Sequence, residues 1–263
     1  MSEVLLTRRE GAVLVLSNNN PAARNALSPA FYAAVTTALA DAAADASVGA
    51  VVLTGEGGHF CAGGDLRQLA RRRELPVEQR REKLEGLHDL IRAVRDCPKP
   101  VIAAVEGAAA GAGLSLALAC DMLVAARDSL FSVAYVKVGL TPDGGATAFL
   151  AEFVSRQVLT ELCLTGERIS GERMYALGPV NRLAEPGQAL VDAVALAAQI
   201  ATGPDQATAL IKDLCRQAPR NTLEQQLELE AQHMVRSQGS EESREGIAAF
   251  LEKRSADFTK LRA

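Results

Sequence analysis

The segment VEGAAAGAGLSLALACD, residues 105–121, is the stretch on which the interpretation of the fold depends. An apolar run that predicts a strand leads into small residues, and an apolar helix is predicted from about Gly111. The unpaired N–H groups at the start of such a helix carry the positive end of its dipole and could stabilise an anion. A structural interpretation is also open, since small residues let a helix pack tightly on a sheet.

A second loop, HFCAGGDL at residues 59–66, follows another apolar run, GAVVLTG at residues 49–55. That run is bounded by glycines and predicts a strand buried on both faces. The adjacent glycines of the loop leave backbone N–H groups open to a ligand, and Asp65 is suited to capping a helix. Many strand-to-helix loops share these features, so the loop by itself does not establish a binding site.

The neighbouring segments alternate between strands and helices. VLLTRRE and AVLVLSN flank Gly11 and predict a hairpin. Ser28-Pro29 predicts the start of a helix that extends to about Ala46. A further buried strand, PVIAAVEG, follows a helix over about residues 80–96 whose apolar stripe consists of Leu84, Leu87, Ile91 and Val94. This alternation indicates an α/β architecture.

After about residue 188 the sequence predicts helices only. VDAVALAAQIA, ATALIKDLCRQA, TLEQQLELEAQHMV and EGIAAFLEKR are separated by Gly-Pro, Pro-Arg-Asn and Gly-Ser breaks. We therefore divide the chain into a core at residues 1–187 and a helical region at residues 188–263. Because amphipathic helices without a sheet must pack on the core or on another subunit, we expect an oligomer.

Composition narrows the classes of function. The chain of 263 residues has a formal net charge of −4, which argues against nucleic-acid binding because such binding depends on a strongly basic surface. The five cysteines form no CxxC pair, so neither a disulfide framework nor a metal site is expected, and no dinucleotide fingerprint is present. The sequence contains no signal-like N-terminal segment and no apolar run of about 20 residues, so we expect a cytoplasmic protein without membrane contact.

One local cluster of basic residues contrasts with the negative net charge of the chain. Charge runs of this kind are commonly a solvated face, and the alternative is a docking area for an anionic, phosphate-bearing ligand. The cluster consists of Arg67, Arg71, Arg72, Arg73, Arg80, Arg81 and Lys83.

Three segments taken together are far more specific than either loop alone. FCAGGDL, then KPVIAAVEGAAAGAGLSLALACD, then FSVAYVKVGLTPDGGAT resemble the crotonase superfamily, the enoyl-CoA hydratase and isomerase family. NNPAARNALS at residues 19–28 and FLEKR at residues 250–254 extend the resemblance over nearly the whole chain. The resemblance implies an α/β spiral of ββα units with a C-terminal helical trimerisation region, assembled as a trimer or as a hexamer.

The resemblance also implies a site for an acyl-coenzyme A thioester. The backbone N–H groups of Gly64 and Ala112 are expected to form an oxyanion hole around the thioester carbonyl, which would stabilise an enolate. Coenzyme A is then part of the substrate, and no separate cofactor is expected. The residues expected near it are Arg24, Ala62, Leu66, Phe250 and Lys253.

The sequence departs from the hydratases of the family at two positions. Those enzymes use two glutamates to add water, and the corresponding positions here hold Ser115 and Tyr135. Asp143, in the stretch TPDGG, is the carboxylate that remains. Turn chemistry alone could explain it, but one carboxylate also suffices to move a proton between the α- and γ-carbons of an enoyl thioester. We therefore favour a double-bond or ring isomerase, because phenylacetate-degradation isomerases with a PDGG loop look similar here.

Other functions stay open from the sequence. A hydratase is the alternative, and a non-enzymatic scaffold of the same fold is a further one. An aryl-CoA dehalogenase would use Asp143 as nucleophile, an aromatic residue at Tyr135 and a histidine at His88, although His88 is equally explained as a half-buried helix residue. A hydrolase would need a histidine beside Ser115, and no such pair can be argued from the sequence. Tyr135 is either a substrate contact or a buried core residue.

Overall fold

The computed structural model describes residues 3–262. Within that range the chain alternates strands and helices up to residue 188 and is helical beyond it. The strands are β1 (Leu5–Glu10), β2 (Val13–Asn18), β3 (Ala50–Gly55), β4 (Val101–Val105), β5 (Ala108–Ala110), β6 (Met122–Ala126), β7 (Leu130–Ser132), β8 (Ile169–Ser170) and β9 (Arg182–Ala184). The helices are α1 (Pro29–Ala44), α2 (Leu66–Arg72), α3 (Val77–Asp96), α4 (Ala112–Ala119), α5 (Ala146–Ala151), α6 (Arg156–Thr165), α7 (Gly171–Leu177), α8 (Ala189–Ile200), α9 (Asp205–Gln217), α10 (Leu223–Gln238) and α11 (Glu241–Leu251).

A six-stranded sheet with the order β1-β2-β3-β4-β6-β9 forms the centre of the molecule. The first pair is the predicted antiparallel hairpin, and the other neighbouring strands run parallel. A smaller sheet has the order β5-β7-β8. Parallel strands joined by helices are the α/β architecture predicted from the sequence.

The central strands are buried on both faces, as the apolar runs predict. Along β3, Val51 and Leu53 contribute to the larger hydrophobic core, and Val52 contributes to the smaller one on the opposite face. Alternate residues of a strand point to opposite faces, so a continuous apolar run is required where helices cover both. Helices α1, α3 and α4 supply side chains to the larger core, and α8 supplies Ala193 and Leu196 to the smaller one.

The predicted helix starts and the α3 stripe agree largely with the structure. Ser28 accepts a hydrogen bond from the N–H of Phe31 at 3.2 Å and caps α1, and Asp65 caps α2 through the N–H of Arg67 at 2.8 Å. The stripe of α3 was assigned wrongly at one position. Leu90 is buried there, whereas Leu84, at the N-terminal end of the stripe, is 36% exposed.

The C-terminal helices divide into two kinds. Helix α8 packs directly on β3, β4 and β6, so the first helix after residue 188 is part of the sheet's covering layer. Helices α10 and α11 instead expose large apolar side chains to solvent. These are Leu223, Leu227, Met234, Val235, Ile247, Phe250 and Leu251.

In the described residues, no helix is both long enough and apolar enough to cross a membrane.

The conformation of the loop after β3 depends on one buried asparagine. Asn25 is fully buried and has φ of 58°, a left-handed conformation that asparagine tolerates better than most residues. Its amide nitrogen donates to the carbonyl oxygens of Glu56 at 2.8 Å and His59 at 2.6 Å. Its amide oxygen accepts from the N–H of Asn20 at 2.9 Å. The side chain therefore ties two chain segments together below the HFCAGGDL loop.

We expect Asn25→Ala to lower the free energy of unfolding by roughly 3 kcal/mol, because it leaves buried backbone groups unpaired and places alanine at positive φ. Denaturant unfolding measures this. Asn20→Ala is the matched control, since Asn20 is exposed and its side chain makes no capping bond; its effect should stay within about 0.5 kcal/mol. Equal effects of the two substitutions would contradict the assigned role of Asn25.

Candidate active site

The two glycine-rich loops meet through a backbone bridge. Cys61 and Ala109 form an isolated parallel β-bridge, in which the Cys61 N–H donates to Ala108 at 2.9 Å and the Ala110 N–H donates to Cys61 at 3.0 Å. Gly64 and Ala112 are separated along the chain by α2, α3, β4 and β5. The bridge brings the backbone segments that carry them next to each other. The structure therefore brings together the two residues whose N–H groups the family resemblance pairs.

Close packing at this junction explains the small residues. A Cβ on Gly113 would overlap the carbonyl oxygen of Cys61 and lie 2.8 Å from its Sγ. Gly63 has φ of 99°, which disfavours any residue with a side chain. The small residues are thus required for close packing at this junction. That requirement is compatible with a binding role for the same loops.

Two backbone donors are left open at the junction. Within residues 3–262, neither the Gly64 N–H nor the Ala112 N–H has a hydrogen-bond acceptor. Ala112 is the first residue of α4, where the helix has no internal acceptor for its N–H groups and carries a partial positive charge. The arrangement suits an oxygen atom on which negative charge develops.

Cys61 is not a nucleophile in this arrangement. Burial raises the pKa of its thiol to about 12, so the thiol stays protonated near neutral pH, and only the thiolate is reactive. The Sγ atom instead accepts a weak hydrogen bond from the N–H of Gly63 at 3.4 Å.

Asp143 lies on the loop that begins α5. Its carbonyl oxygen accepts from the N–H of Ala146 at 3.3 Å, and Gly144 and Gly145 follow at φ of 59° and 86°. The turn interpretation of TPDGG is therefore correct for the backbone. The side chain remains available for another role, since it takes no part in that turn.

Asp143 is held by the two side chains that replace the hydratase glutamates. Tyr135 donates to Oδ1 of Asp143 at 2.7 Å, and Ser115 donates from Oγ to the Asp143 carbonyl oxygen at 2.9 Å. The hydroxyl oxygens of Ser115 and Tyr135 are 3.1 Å apart. The structure thus brings these three predicted site residues together in one cluster, with Ser115 and Tyr135 both buried.

Burial raises the pKa of Asp143 above its usual value, and the hydrogen bond from Tyr135 together with the charges of His88 and Arg72 opposes that rise. The pKa of Tyr135 is raised as well, by burial and by the negative charge of Asp143. The phenol is therefore a donor and not a competing base near neutral pH.

His88 is half-buried on α3 beside this cluster. Its Nδ1 lies 3.6 Å from a carboxylate oxygen of Glu85, and it makes no hydrogen bond to Asp143 among the described residues. Its charge is nevertheless close enough to influence the pKa of Asp143. A role for His88 stays a prediction.

Tyr32 and Arg72 belong to the same neighbourhood. The sequence pattern did not indicate Tyr32, and it indicated Arg72 only as a member of the basic cluster. Tyr32 is only 9% exposed, and burial raises the pKa of its hydroxyl to about 12, with Arg72, Asp143 and Cys61 close enough to contribute. Its hydroxyl has no hydrogen-bond partner within residues 3–262. The available signal was the single tyrosine in an alanine-rich helix.

The residues expected near coenzyme A are partly assembled. The N–H of Ala62 donates to the carbonyl oxygen of Arg24 at 2.9 Å, which places these two residues side by side. Both are exposed, as is Leu66 at the start of α2. In the described part of the chain, the seven basic residues of the cluster at positions 67–83 form no ion pair.

Phe250 and Lys253 lie elsewhere on the surface of this chain. Phe250 is 84% exposed on α11, a helix that packs on α10 and on the turn Phe258–Leu261. Lys253 follows α11 with φ of 55°. Their expected contact with coenzyme A stays a prediction.

The residues around Ser115 do not form a hydrolase triad. Over residues 3–262 the Ser115 hydroxyl contacts the Gly111 carbonyl oxygen, the Tyr135 hydroxyl and the Asp143 carbonyl oxygen, and it makes no hydrogen bond to a histidine. The same range contains no group of three or more His, Cys, Asp or Glu side chains that could hold a metal ion.

Comparison with known proteins agrees with this geometry. A family model described as enoyl-CoA hydratase/isomerase matches residues 8–261. The 1,2-epoxyphenylacetyl-CoA isomerase of Escherichia coli (strain K12) is 35% identical over 98% of this chain and 99% of its own length. The 2,3-dehydroadipyl-CoA hydratase of the same organism is 34% identical over the same shares of the two chains.

A solved structure is also closely similar. The crystal structure of an enoyl-CoA hydratase from Polaromonas sp. JS666 has a TM-score of 0.94 and 47% sequence identity, covering 96% of this chain and 98% of that one. The expected α/β fold is thereby confirmed. The chain belongs to the enoyl-CoA hydratase/isomerase family and has its crotonase fold.

Proposed function

We propose that this protein is an acyl-CoA isomerase that moves a double bond, or rearranges a ring, by proton transfer through Asp143. The observation that carries the proposal is the state of that carboxyl group. It is half-buried and has a raised pKa. It is tied to Tyr135 and Ser115, which occupy the positions where a hydratase of the family would have glutamates.

The reaction requires one base and one stabilised oxyanion. Asp143 takes a proton from the α-carbon of a 3-enoyl thioester, and the electron pair of the broken C–H bond moves toward the thioester oxygen. The Gly64 and Ala112 N–H groups stabilise the resulting dienolate. The same proton then returns to the γ-carbon, which leaves a conjugated 2-enoyl thioester. A carboxyl group whose pKa is raised toward neutrality is suited to both transfers.

The remaining site residues are assigned to binding. Arg24, Ala62 and Leu66 form the surface proposed for coenzyme A, where an exposed guanidinium suits a phosphate and an exposed leucine suits an apolar contact. The unpaired arginines of α2 and α3 would attract the same phosphates at longer range. The Tyr32 hydroxyl and the His88 ring are proposed to border the acyl group.

Hydration is the alternative, because several relatives carry that name. It would require Asp143 alone to activate water and to protonate the α-carbon.

Asp143→Asn should lower kcat for 3-enoyl-CoA isomerisation by about 100- to 10,000-fold, the usual contribution of a general base. Absorbance of the conjugated thioester and product mass follow the reaction. Asp128→Asn is the control, because Asp128 is exposed and lies outside the site, and it should leave the rate unchanged. A water adduct formed readily from a 2-enoyl-CoA would instead identify a hydratase.

Gly113→Ala should reduce kcat by about 100- to 1,000-fold, the effect of losing one oxyanion donor, because the added methyl group pushes α4 away from Cys61. Overpacking should also cost about 1–3 kcal/mol in the free energy of unfolding. Gly246→Ala in α11 is the matched control, since its Cβ would meet the Phe258 ring at an ordinary 3.4 Å. Full activity of Gly113→Ala would contradict the proposed oxyanion hole.

We also propose that the chain self-associates through α10 and α11. Leu223, Leu227 and Met234 lie on one face of α10, and Ile247, Phe250 and Leu251 lie on one face of α11. Exposed apolar surface of this extent is typical of an interface.

Light scattering coupled to size-exclusion chromatography should give the mass of three or six chains for the unmodified protein. The double substitution Leu227→Glu and Met234→Glu should yield smaller species, because charged groups cannot be buried unpaired in an apolar interface. Leu164→Glu, an equally exposed position on α6, should leave the mass unchanged. A monomeric unmodified protein would contradict self-association.

A further inference from the structure

Tyr135 is anchored at the junction where the two proposed halves of the site meet. It lies in the turn Ala134–Val138 and is 8% exposed. Its ring packs against the backbone at Gly111, where a Cβ would lie 3.8 Å from Cζ. Gly111 directly precedes the open N–H of Ala112. The phenol is therefore fixed relative to the proposed oxyanion hole by packing and not only by its hydroxyl.

The hydrogen bonds of the cluster hold Asp143 at two separate points. The Tyr135 hydroxyl has one proton, and its 2.7 Å distance to Oδ1 is in the range of a charge-assisted bond to a carboxylate. Ser115 also has one proton, which it can donate to the Asp143 carbonyl oxygen at 2.9 Å. The first bond orients the carboxylate, and the second holds the loop.

This arrangement leaves the two carboxylate oxygens unequal. Oδ1 is bound to Tyr135, whereas Oδ2 receives no hydrogen bond from residues 3–262. The loop also packs closely on α4, because a Cβ added to Gly144 would lie 3.0 Å from Cβ of Ser115. A carboxylate held in this way presents one defined oxygen to a substrate, which is the preorganisation that proton transfer requires.

The groups that face Asp143 come from five elements. Tyr135 and Ser115 contact it directly, His88 on α3 and Arg72 on α2 act on it through their charge, and Tyr32 on α1 senses its charge. Of these, Tyr135 alone donates a hydrogen bond to the carboxylate within residues 3–262. Its bond therefore opposes the effect of burial most directly.

We propose that Tyr135 is the positioning residue for the Asp143 carboxylate: its hydroxyl holds Oδ1 and reserves Oδ2 for the substrate proton. Ser115 acts with it by holding the loop. The proposal rests on the isomerase function proposed above, because it assigns the orientation and the ionisation of that function's base. In this role the Tyr135 hydroxyl acts on the reaction through Asp143 and not directly on the substrate.

Replacing Tyr135 by Phe removes the hydrogen bond and keeps the ring. Loss of a bond to the charged form raises the pKa of Asp143, so the ionised base should appear at higher pH. Activity requires that base, so it rises with pH through this ionisation. The acidic limb of the kcat profile should therefore move to higher pH, while KM stays within about two-fold, as expected of a group that does not bind substrate.

The ionisation can be measured without any reaction. Carbon-13 NMR of protein with labelled aspartate carboxyl groups gives the titration of Asp143, assigned by its absence in Asp143→Asn. Tyr135→Phe should move that titration to higher pH. Site-specific replacement of Tyr135 by 3-fluorotyrosine, a stronger hydrogen-bond donor, should move it to lower pH.

Two further variants separate positioning from general packing. Tyr175→Phe, at an exposed tyrosine on α7, should leave both the titration and the pH profile unchanged. Ser115→Ala should lower kcat while the Asp143 titration stays near that of the unmodified protein, because the Tyr135 bond remains.

The possible outcomes distinguish this proposal from the proposed function. An Asp143 titration that is the same in all Tyr135 variants, or a large rise in KM for Tyr135→Phe, would overturn the positioning role. If the unmodified protein isomerises no 3-enoyl-CoA, the isomerase function fails, and the titration then still decides whether Tyr135 controls Asp143.

Discussion

The backbone bridge between Cys61 and Ala109 is the interaction on which the geometry of the site depends. Its two hydrogen bonds join the loop after β3 to β5, and the close approach they impose excludes side chains at Gly63 and Gly113. Because backbone groups form the bridge, it places the open N–H groups of Gly64 and Ala112 with the precision of secondary structure. Asn25 supports the loop by donating hydrogen bonds to the carbonyl oxygens of Glu56 and His59.

The other half of the site is built from side chains, and its charge state depends on pH. Backbone N–H groups do not titrate, whereas Asp143 does, so the pH dependence of the proposed proton transfer would reside in the surroundings of that one carboxyl group. Burial favours its neutral form, and the Tyr135 hydroxyl with the nearby positive charges favours the ionised form. This balance is compatible with the proton transfer proposed for Asp143.

Two surfaces outside the proposed catalytic cluster are open to binding partners. The basic residues at positions 67–83 form no ion pair in the described residues, and α10 with α11 exposes several large apolar side chains. The first kind of surface suits a phosphate-bearing ligand, and the second suits another copy of the chain. Both are properties of the helices, so the sheet provides the scaffold and the helices provide the contacts.

The features that the sequence by itself determined are those set by residues close together along the chain. Burial on both faces of β3 follows from an unbroken apolar run, and the starts of α1 and α2 follow from Ser28 and Asp65, because each pattern acts within a few residues. The family and the two glycine-rich loops were recognisable for the same reason. Only the tertiary structure decided that Tyr135 and Ser115 hold Asp143, or that Tyr32 lies close enough for the charge of Asp143 to affect its pKa. Those contacts join separate elements, and which side chains meet depends on the packing of the whole chain.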